Sequence, residues 1–407
     1  MNKFVVGQFS ESFPPLMDGV GFVAKNYTEL LLAKGHKAYA VVSGATNKRG
    51  YARDRQGGID YTIRATMIPL PRIRPYGLIV RGRTFKRKVD EIDFDLIHTH
   101  APFSLGRYGR KLAQERQIPM VATFHSLYKD DFTATLGSKK LANFLIKTVV
   151  AHFEKADEVW TPSLWSKKRL QEYGFKGDIV VVANGCDFPL PTSEEYREYQ
   201  KRGREIAKVD DTTPLLLYVG QINEKKNLQL ILDSLHLAHK GGINYKMVFV
   251  GDGADLLKYR LYVKTHHLEE KVTFLGRVGE REKIKALMAA ATLFPFPSQY
   301  DVSPLVLREA AAFSLPLLNT KESATAFVTT DRVNGFITDN SLDSFSESLI
   351  ELIENQPLCI EVGSKARETL YISWEEVITE VAERYANLIS KHRKSQSHTD
   401  DKGSPQG

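Results

Sequence analysis

Short apolar runs alternate with amphipathic segments along most of the chain. KFVVGQF, KAYAVVS, FDLIHTH and PMVATFH have the apolar composition of buried strands, whereas GFVAKNYTELLLAKG and LGRYGRKLAQERQ place apolar residues at helical spacing. In the first of these helices Tyr27, Leu30 and Leu31 share one face, and Gly35 follows where a helix C-terminus favours glycine. Strand and helix in turn predict the doubly wound parallel sheet of an α/β protein.

The alternation is interrupted once and then resumes. A second series starts near residue 212 with PLLLYVG, NLQLILDSLHLAHKGG and YKMVFVGDG, and the last sixteen residues contain almost no large apolar side chain. Two Rossmann-like domains are therefore expected. The predicted boundaries are 1–190 for the first domain, 191–211 for a linker, 212–370 for the second domain, 371–391 for a C-terminal helix packing back on the first domain, and 392–407 for a disordered tail.

Composition narrows the class of protein. The 407 residues, 42% hydrophobic and 26% charged, are typical of a soluble globular protein with two domains. Cys186 and Cys359 lie far apart and no CxxC occurs, so neither a disulfide framework nor a cysteine zinc site is indicated, and a reducing cytosol fits. No apolar window is long enough to span a bilayer, and the first residues do not form a signal peptide.

Positive charge is concentrated in the first half. Residues 1–190 hold 29 Lys and Arg against 18 Asp and Glu, whereas residues 191–407 hold 27 against 31. This asymmetry favours a negatively charged partner, either nucleic acid or an anionic lipid surface, although scattered solvated lysines would give the same balance. Nucleic acid is the weaker choice, because the basic stretches lack interleaved aromatic residues and any recognised binding module.

Two stretches, 70–88 and 138–155, contain most of the basic excess. The second places apolar residues at helical spacing beside Lys139, Lys140 and Lys147, a pattern typical of a helix lying on an anionic bilayer. A core-facing helix with solvated lysines explains it equally well. The apolar positions are Leu141, Phe144, Leu145, Thr148, Val149 and Phe153.

The segment SQYDVSPLVLREAAA has the features of an anion site at a helix start. Ser303 suits the N-cap and Pro304 the first helical position, so the N–H groups of Leu305 and Val306 would face an anion such as a pyrophosphate. Two acids, Asp301 and Glu309, stand eight positions apart. This spacing favours hydrogen bonds to separate hydroxyls of one polyol ligand over a shared proton, although ordinary surface acids would produce it too.

A second loop, VGQINEKKN, follows an apolar strand and precedes a helix. Lys225 and Lys226 in this loop could neutralise a phosphate bound beside the neighbouring strand. Lysines in such loops also commonly face solvent, so the loop alone decides nothing.

In their order and spacing these fragments resemble the family 4 retaining glycosyltransferases, and most of all the diacylglycerol glucosyltransferase branch. The resemblance covers about residues 1–390 and rests on FPPLMDGVG, HTHAPFSLGRYGRKLA, TFHS, EVWTPS, VVANGCD, VGQINEKKN, VGDG, FLGRV and the acid pair. It implies a GT-B fold, in which two Rossmann-like domains face each other across a cleft. It also implies transfer of a hexose, most simply glucose from a UDP donor, with retention and without a metal or other cofactor.

The resemblance assigns roles on the donor side position by position. Gly19 matches the glycine whose bare backbone approaches the donor phosphates, and Lys226 matches the phosphate-binding lysine. The backbone around Val278 matches the segment that meets the nucleotide base, and Glu309 the acid that holds the ribose hydroxyls. Gln221 stands where an arginine is usual, which removes a fixed positive charge from the phosphate site.

On the sugar side, His125 and Asp301 match the residues placed near the transferred hexose, and they are the catalytic candidates. Asp301 is one methylene shorter than the usual glutamate, and Ser303-Pro304 replaces Phe-Gly, so Pro304 cannot donate a backbone hydrogen bond. These departures leave a noncatalytic relative, binding a sugar nucleotide or a protein partner, as an alternative.

His98, His100 and His125 also suggest a metal site, because an HxH pair can chelate from a strand. No carboxylate lies at a supporting spacing and the family site needs no metal, so none is expected. The resemblance implies a cytoplasmic enzyme, peripheral on the inner face of the cell membrane, with a lipid acceptor and no nucleic-acid partner. A soluble or polysaccharide acceptor remains the alternative, and the oligomeric state is open.

Overall fold

The apolar runs predicted as strands form parallel sheets in the structure, a computed structural model that describes residues 3–15, 18–44, 61–69 and 77–400. Two units divide the chain: Met1–Asn184 together with Trp374–Gly407, and Gly185–Ser373. The strands of the first unit are β1 (Val5–Ser10), β2 (Lys37–Ser43), β3 (Thr62–Pro69), β4 (Gly77–Val80), β5 (Leu96–Thr99), β6 (Met120–Thr123), β7 (Glu158–Thr161) and β8 (Ile179–Val181).

These eight strands form one sheet in the order β4-β3-β2-β1-β5-β6-β7-β8. Every neighbouring pair is parallel except β3 and β4. β5 and β6 are buried along their whole length, as expected for central strands with helices on both faces. The polar residues that follow them, at the carboxyl edge of the sheet, are where ligands bind in such folds.

Most of the helices lie between successive strands along the chain, and the helix Trp374–Asp400 belongs to the first unit. They are α1 (Gly19–Ala33), α2 (Arg83–Asp90), α3 (Ser104–Glu115), α4 (Tyr128–Leu136), α5 (Lys139–Phe153), α6 (Leu164–Glu172), α7 (Ser193–Ala207), α8 (Leu228–Lys240), α9 (Leu256–Thr265), α10 (Arg281–Ala290), α11 (Leu305–Ala312), α12 (Leu342–Glu354), α13 (Gln356–Leu370) and α14 (Trp374–Asp400).

The second unit contains two three-stranded parallel sheets, β11-β10-β9 and β12-β13-β14. A bridge between Leu216 and Leu293 joins β9 to β12, which gives the six-strand order β11-β10-β9-β12-β13-β14. The direction of winding therefore reverses between β9 and β12, and the loops that follow these two strands border the usual ligand position. The strands are β9 (Leu215–Val219), β10 (Lys246–Val250), β11 (Val272–Gly276), β12 (Phe294–Phe296), β13 (Leu317–Thr320) and β14 (Phe336–Thr338).

The expected linker over 191–211 is wrong, because α7 occupies most of it and lies inside the second unit. A capping box starts this helix: the Thr192 side chain accepts from the N–H of Glu195, and the Glu195 side chain accepts from the N–H of Thr192. The helix then packs closely on α10, since a Cβ at Gly203 would overlap the carbonyl oxygen of Ala286. Small residues and tyrosines form its contact face, which explains its weak apolar pattern.

The expected disordered tail over 392–407 is also wrong where the structure describes it, because α14 continues to Asp400. His392 Nε2 and Gln396 Nε2, one helical turn apart, donate to the carbonyl oxygen of Gln117 at 2.9 and 2.7 Å. Arg393 forms an ion pair with Asp95. Polar anchors thus replace the apolar ones whose absence suggested disorder, and residues 401–407 lie outside the described residues.

Candidate active site

The loops after β9 and β10 lie against each other at the carboxyl edge of the second sheet. Ile222 N–H donates to the carbonyl oxygen of Asp252 at 3.0 Å. Gly251 has a φ of +143°, and a Cβ there would overlap the carbonyl oxygen of Gly220. The glycines of VGQI and VGDG therefore allow two backbones to meet, and the contact fixes the loop that precedes Lys226.

Lys226 and Asp301 meet at the point where the winding reverses. Lys226 ends a short 3₁₀ turn after β9, Asp301 lies in the loop after β12, and their Nζ and Oδ1 atoms are 2.6 Å apart. The two side chains are only 14% and 19% exposed. Asp301 Oδ2 is buried and has no hydrogen-bond partner among the described residues. The pair thus places the Lys226 ammonium and the free Oδ2 of Asp301 close together.

Helix α11 begins one residue later than expected. Pro304, not Ser303, is the N-cap residue, with an extended backbone (φ −68°, ψ 125°) and no side-chain capping bond. The first intrahelical donor is Leu307, whose N–H reaches the carbonyl oxygen of Pro304 at 3.1 Å. Leu305 and Val306 precede it, so their N–H groups have no intrahelical acceptor. This end of α11 follows directly from the Asp301 loop.

Glu309 faces a cluster that the sequence analysis missed. Its Oε1 accepts from Arg281 at 3.1 Å, and the same guanidinium lies 3.3 Å from Asp187. Burial raises the pKa of Glu309, and the neighbouring Asp187 acts in the same direction while Arg281 opposes it. Arg281 also stacks over the ring of Phe188, 4.3 Å from its centroid. The arginine is one of many charged residues in GEREK, so its role could not be recognised from the sequence.

Val278 and Gln221 border this arrangement without entering it. Val278 is half-buried against the core of the second unit, in the loop that leads from β11 to Arg281. Gln221 is exposed, and its Oε1 accepts from Asn223 at 3.0 Å. Val278 thus precedes Arg281 by three residues in this loop, and Gln221 precedes Lys226 by five.

In the first unit, Gly19 begins α1 just after the N-cap residue Asp18, whose side chain accepts from the N–H of Gly21. A Cβ at Gly19 would meet no described atom within 4 Å. Gly21, in contrast, lies against the backbone of Phe13, where a Cβ would approach to 3.0 Å. Gly19 thus has open space beside it, and the absence of a side chain there is not required by packing.

His125 follows β6, and its Nε2 lies 3.1 Å from Nδ1 of His100. Burial lowers the pKa of His125 to about 3, so the ring is neutral near pH 7. His98 forms hydrogen bonds with Tyr385 and Thr123, and His100 with Gln8 as well as with His125. None of these partners is a carboxylate. Within the described part of the chain, no group of His, Cys, Asp or Glu is arranged to hold a metal ion.

Glu11 is a further acid at the carboxyl edge of the first sheet, half-buried as a residue, and it was not anticipated. Its Oε1 accepts from the N–H of Leu105 at 2.6 Å, at the start of α3, while Oε2 has no partner among the described residues. Burial raises the pKa of Glu11 to about 7. A single acid in the loop GQFSESF gave no sequence signal for this position.

The basic helix α5 combines both expected environments. Val149 and Phe153 are buried in the core of the first unit, whereas Leu141 and Phe144 are 45% and 62% exposed. The exposed pair lies in the first half of α5 beside Lys140. Of the other basic stretch, 70–76 falls outside the described residues, but Arg83, Lys86, Arg87 and Lys88 of α2 are exposed. None of the described helices is both long enough and apolar enough to cross a bilayer.

Comparison with known families and proteins finds relatives over most of the chain. A model for Glycosyltransferase Family 4 matches residues 17–188, and one for Glycosyl transferases group 1 matches residues 200–369. The alpha-monoglucosyldiacylglycerol synthase of Acholeplasma laidlawii is 23% identical over 399 residues, which cover 96% of this chain and 98% of that protein. A protein of the same name from Streptococcus pneumoniae is 24% identical, covering 77% of this chain and 70% of that one.

Among solved structures, Anabaena HepE in complex with UDP superimposes with a TM-score of 0.74. It is 17% identical, and the match covers 94% of this chain and all of that one. This likeness shows that the two proteins share a fold, the two-Rossmann architecture of GT-B glycosyltransferases.

Proposed function

The chain belongs to the family 4 and group 1 glycosyltransferases, and from that premise we propose that it transfers glucose from UDP-glucose to a hydroxyl of a membrane lipid such as diacylglycerol, with retention at the anomeric carbon. The observation that supports this most is the Lys226–Asp301 pair beside the uncapped start of α11, with Glu309 farther along the same helix. The lysine ammonium and the free N–H groups suit a diphosphate, the Asp301 carboxylate suits a hexose, and the Glu309 carboxylate suits a ribose.

The diphosphate takes the position between Lys226 and the first turn of α11. There the ammonium and the N–H groups of Leu305 and Val306 stabilise its negative charge, aided by the positive end of the helix dipole. These same groups stabilise the charge that develops on the leaving diphosphate, which is where the transition state differs most from the bound donor. No metal ion is needed for that role in this proposal.

The hexose lies at Asp301, whose free Oδ2 accepts from one of its hydroxyls. The resemblance to the family assigns His125 to the transferred sugar as well. The ribose binds Glu309, and the base lies against the loop that carries Val278. The same resemblance assigns Gly19 to the donor phosphates, and the open space beside it is compatible with that role. The acceptor hydroxyl attacks from the face that the diphosphate leaves, and a leaving phosphate oxygen takes its proton.

Exposed apolar residues on the first unit support a lipid acceptor. β6 and β7 are parallel, so α5 must run from the carboxyl edge of the sheet back to its amino edge. Leu141 and Phe144, early in α5, therefore lie toward the edge that carries His125. Ile68 and Leu78, opposite each other on β3 and β4, are also exposed and lie toward this edge. Apolar side chains among lysines favour docking on an anionic bilayer, peripherally and from the cytoplasmic side.

A panel of nucleotide sugars tests the proposal. The protein is incubated with UDP-glucose, UDP-galactose, UDP-N-acetylglucosamine and GDP-mannose, each with diacylglycerol-containing anionic vesicles or with soluble saccharides, and products are read by mass spectrometry. Glucosyl-diacylglycerol from UDP-glucose is the expected product. Transfer only to saccharides would replace the lipid acceptor, and nucleotide binding without turnover would indicate a noncatalytic relative.

Vesicle sedimentation tests the docking surface separately. Phe144→Ser should reduce co-sedimentation with anionic vesicles at low salt, because it removes the most exposed apolar side chain of α5. Ile360→Ser, which changes an apolar residue on α13 of the second unit that is 71% exposed against 62% for Phe144, is the matched control and should leave sedimentation unchanged. Equal effects of the two substitutions would remove α5 from the proposal.

A further inference from the structure

Six buried or half-buried side chains form a continuous hydrogen-bonded chain in the first unit. Gln8 lies on β1, His98 and His100 on and just after β5, Thr123 and His125 on and just after β6, and Tyr385 on α14. Gln8 pairs with His98, and His98 pairs with Val121, across the three strands. Side chains alternate along a strand, so His100, two positions after His98, points to the same face as Gln8 and His98. Thr123 and His125, two and four positions after Val121, point to that face too, and α14 covers it.

The distances between polar atoms connect these six side chains in one continuous series. His125 Nε2 lies 3.1 Å from His100 Nδ1, and His100 Nε2 lies 2.8 Å from the amide oxygen of Gln8. The amide nitrogen of Gln8 lies 3.2 Å from the Tyr385 hydroxyl. That hydroxyl lies 2.5 Å from His98 Nδ1, and His98 Nε2 lies 2.6 Å from the Thr123 hydroxyl.

With the amide oxygen of Gln8 toward His100, the chemistry of each group assigns the protons. An amide oxygen only accepts, so Nε2 of His100 must carry a proton. Burial lowers the pKa of His100 well below its ordinary value, so the ring is neutral and its Nδ1 is bare. The bare nitrogen must accept, and therefore Nε2 of His125 donates to it. His125 is thereby held as the Nε2–H tautomer, with Nδ1 as its remaining acceptor.

The other branch is compatible with this orientation of the Gln8 amide. Its amide NH₂ donates to the Tyr385 oxygen, the Tyr385 hydroxyl donates to Nδ1 of His98, and His98 donates from Nε2 to Thr123. Tyr385 stacks on Trp160 at 5.5 Å, which holds the hydroxyl in place. If the Gln8 amide were reversed, every proton in the network would move with it and His125 would carry its proton on Nδ1, so the ring protonation of His125 distinguishes the two orientations.

Aromatic rings and two carboxylates surround this hydrogen-bonded network among the described residues. Tyr27 of α1 packs its ring against His98 and His100 at 5.8 and 5.9 Å. The charged groups that act on the surrounding tyrosines are Glu158 of β7, near Tyr385, and Glu380 of α14, near Tyr27. Glu158 is engaged by the indole N–H of Trp160 at 2.8 Å. A low-polarity enclosure of this kind favours neutral imidazoles with defined tautomers.

We propose that Gln8, His100 and Tyr385 are positioning residues for the transfer reaction, which keep His125 neutral and protonated at Nε2, so that its bare Nδ1 accepts a hydrogen bond from a hydroxyl of the transferred hexose. This inference rests on the proposed function, because it takes the hexose to be the ligand of His125. It assigns His125 the role of a hydrogen-bond acceptor, not of an acid. Helix α14, through Tyr385, is then one of the elements that orient the site.

Nitrogen-15 spectra of the histidine rings, recorded on the ¹⁵N-labelled full chain, distinguish protonated from bare ring nitrogens without requiring activity. His125 is assigned by the signals lost in His125→Asn. The expected result is a His125 protonated at Nε2 from pH 5 to 8. A His125 protonated at Nδ1, or one that titrates in that range, overturns the proposal.

Kinetics with UDP-glucose and diacylglycerol vesicles test the consequence for catalysis. An orienting or proton-handling side chain contributes roughly 10²- to 10⁴-fold, so loss of its support in Gln8→Leu should lower kcat by about 10- to 100-fold with little change in KM for UDP-glucose. The His125 signals should change in the same variant. Tyr385→Phe removes only a hydroxyl and keeps the ring packing, so it provides the test if Gln8→Leu does not fold.

Thr99→Val is the matched control. Thr99 lies between His98 and His100 on the opposite face of the sheet, is buried, and bonds to Nε2 of His152 at 3.0 Å. Its loss should lower thermal stability but leave both the His125 spectrum and kcat unchanged. A wild type that turns over no nucleotide sugar removes the proposed function, whereas an active enzyme in which Gln8→Leu retains wild-type kcat overturns the positioning role alone.

Discussion

Replacing Asp301 with asparagine should separate nucleotide binding from sugar transfer. In the free protein Asp301 Oδ1 lies 2.6 Å from Lys226 Nζ, and neither side chain is more than 19% exposed. The carboxylate therefore neutralises part of the lysine's charge before a diphosphate arrives. Asparagine keeps the size of the side chain and removes its charge. The variant should leave Lys226 freer to bind UDP, while the hexose loses a carboxylate acceptor.

The exposure of the pair sets the size of the effect. Exposed ion pairs contribute about 0–1 kcal/mol, whereas a buried hydrogen bond to a charged group contributes about 1.5–3 kcal/mol. A pair with this limited exposure falls between them, at about 1–2 kcal/mol. Since each 1.4 kcal/mol is a factor of ten, the Kd for UDP should fall by about 5- to 30-fold. Transfer should fall by about 100-fold or more, as for loss of a group that stabilises the transition state.

Calorimetric titration with UDP at constant ionic strength measures the first effect, and the lipid assay measures the second. Asp339→Asn is the matched control, because Asp339 also forms a 2.6 Å ion pair, with Lys321, but is 60% exposed in the same unit. The control should alter neither quantity. If Asp301→Asn weakened UDP binding as much as Lys226→Met does, the lysine would not be shared between the carboxylate and the phosphate, and this reasoning would be refuted.

Three further predictions concern buried charge and close packing. Glu309→Gln should weaken UDP binding by about 10-fold. Because burial raises the pKa of Glu309, the UDP affinity of the wild type should also decline on mild acidification. The UDP affinity of the variant, measured by titration across pH 5–8, should not decline. Burial raises the pKa of Glu11 from 4.5 to about 7, so its stabilising contribution is full below about pH 4.5 and is lost as pH rises through about 7. Denaturant unfolding should show Glu11→Gln gaining on the wild type over that window, by on the order of 3 kcal/mol, and a pH-independent difference would contradict the assignment. Gly203→Ala should destabilise the second unit by about 1–3 kcal/mol in the same assay, because the added Cβ overlaps the Ala286 carbonyl oxygen. This is expected although alanine favours helices. A more stable variant would show that α7 can shift away from α10.

The repeated strand and helix pattern predicted the two sheets, because buried strands and amphipathic helices have distinct apolar periods. It did not predict α7. The Thr192–Glu195 capping box was visible as T-x-x-E, but the contact face of the helix depends on Gly203 and Ala207, which do not register as apolar positions. The end of α14 was missed for a similar reason. It is held by hydrogen bonds to the carbonyl oxygen of Gln117, which lies just after α3 in the first unit.

The candidate site was only partly accessible from the sequence. Residue types at loop positions indicated Lys226, Asp301 and Glu309, but the contact between Lys226 and Asp301 joins residues 75 positions apart and depends on strand order. Arg281 gave no signal because it looks like any other charged residue at a helix start. Local spacing can identify which groups follow a strand, whereas their pairing is set by which strands are neighbours.

A structure of the protein with UDP-glucose tests the central claim most directly. The account predicts a diphosphate within hydrogen-bonding distance of Lys226 Nζ and of the N–H groups of Leu305 and Val306, with the ribose hydroxyls at Glu309. A nucleotide bound elsewhere, with the Lys226–Asp301 pair unchanged and no ligand at the start of α11, would contradict it.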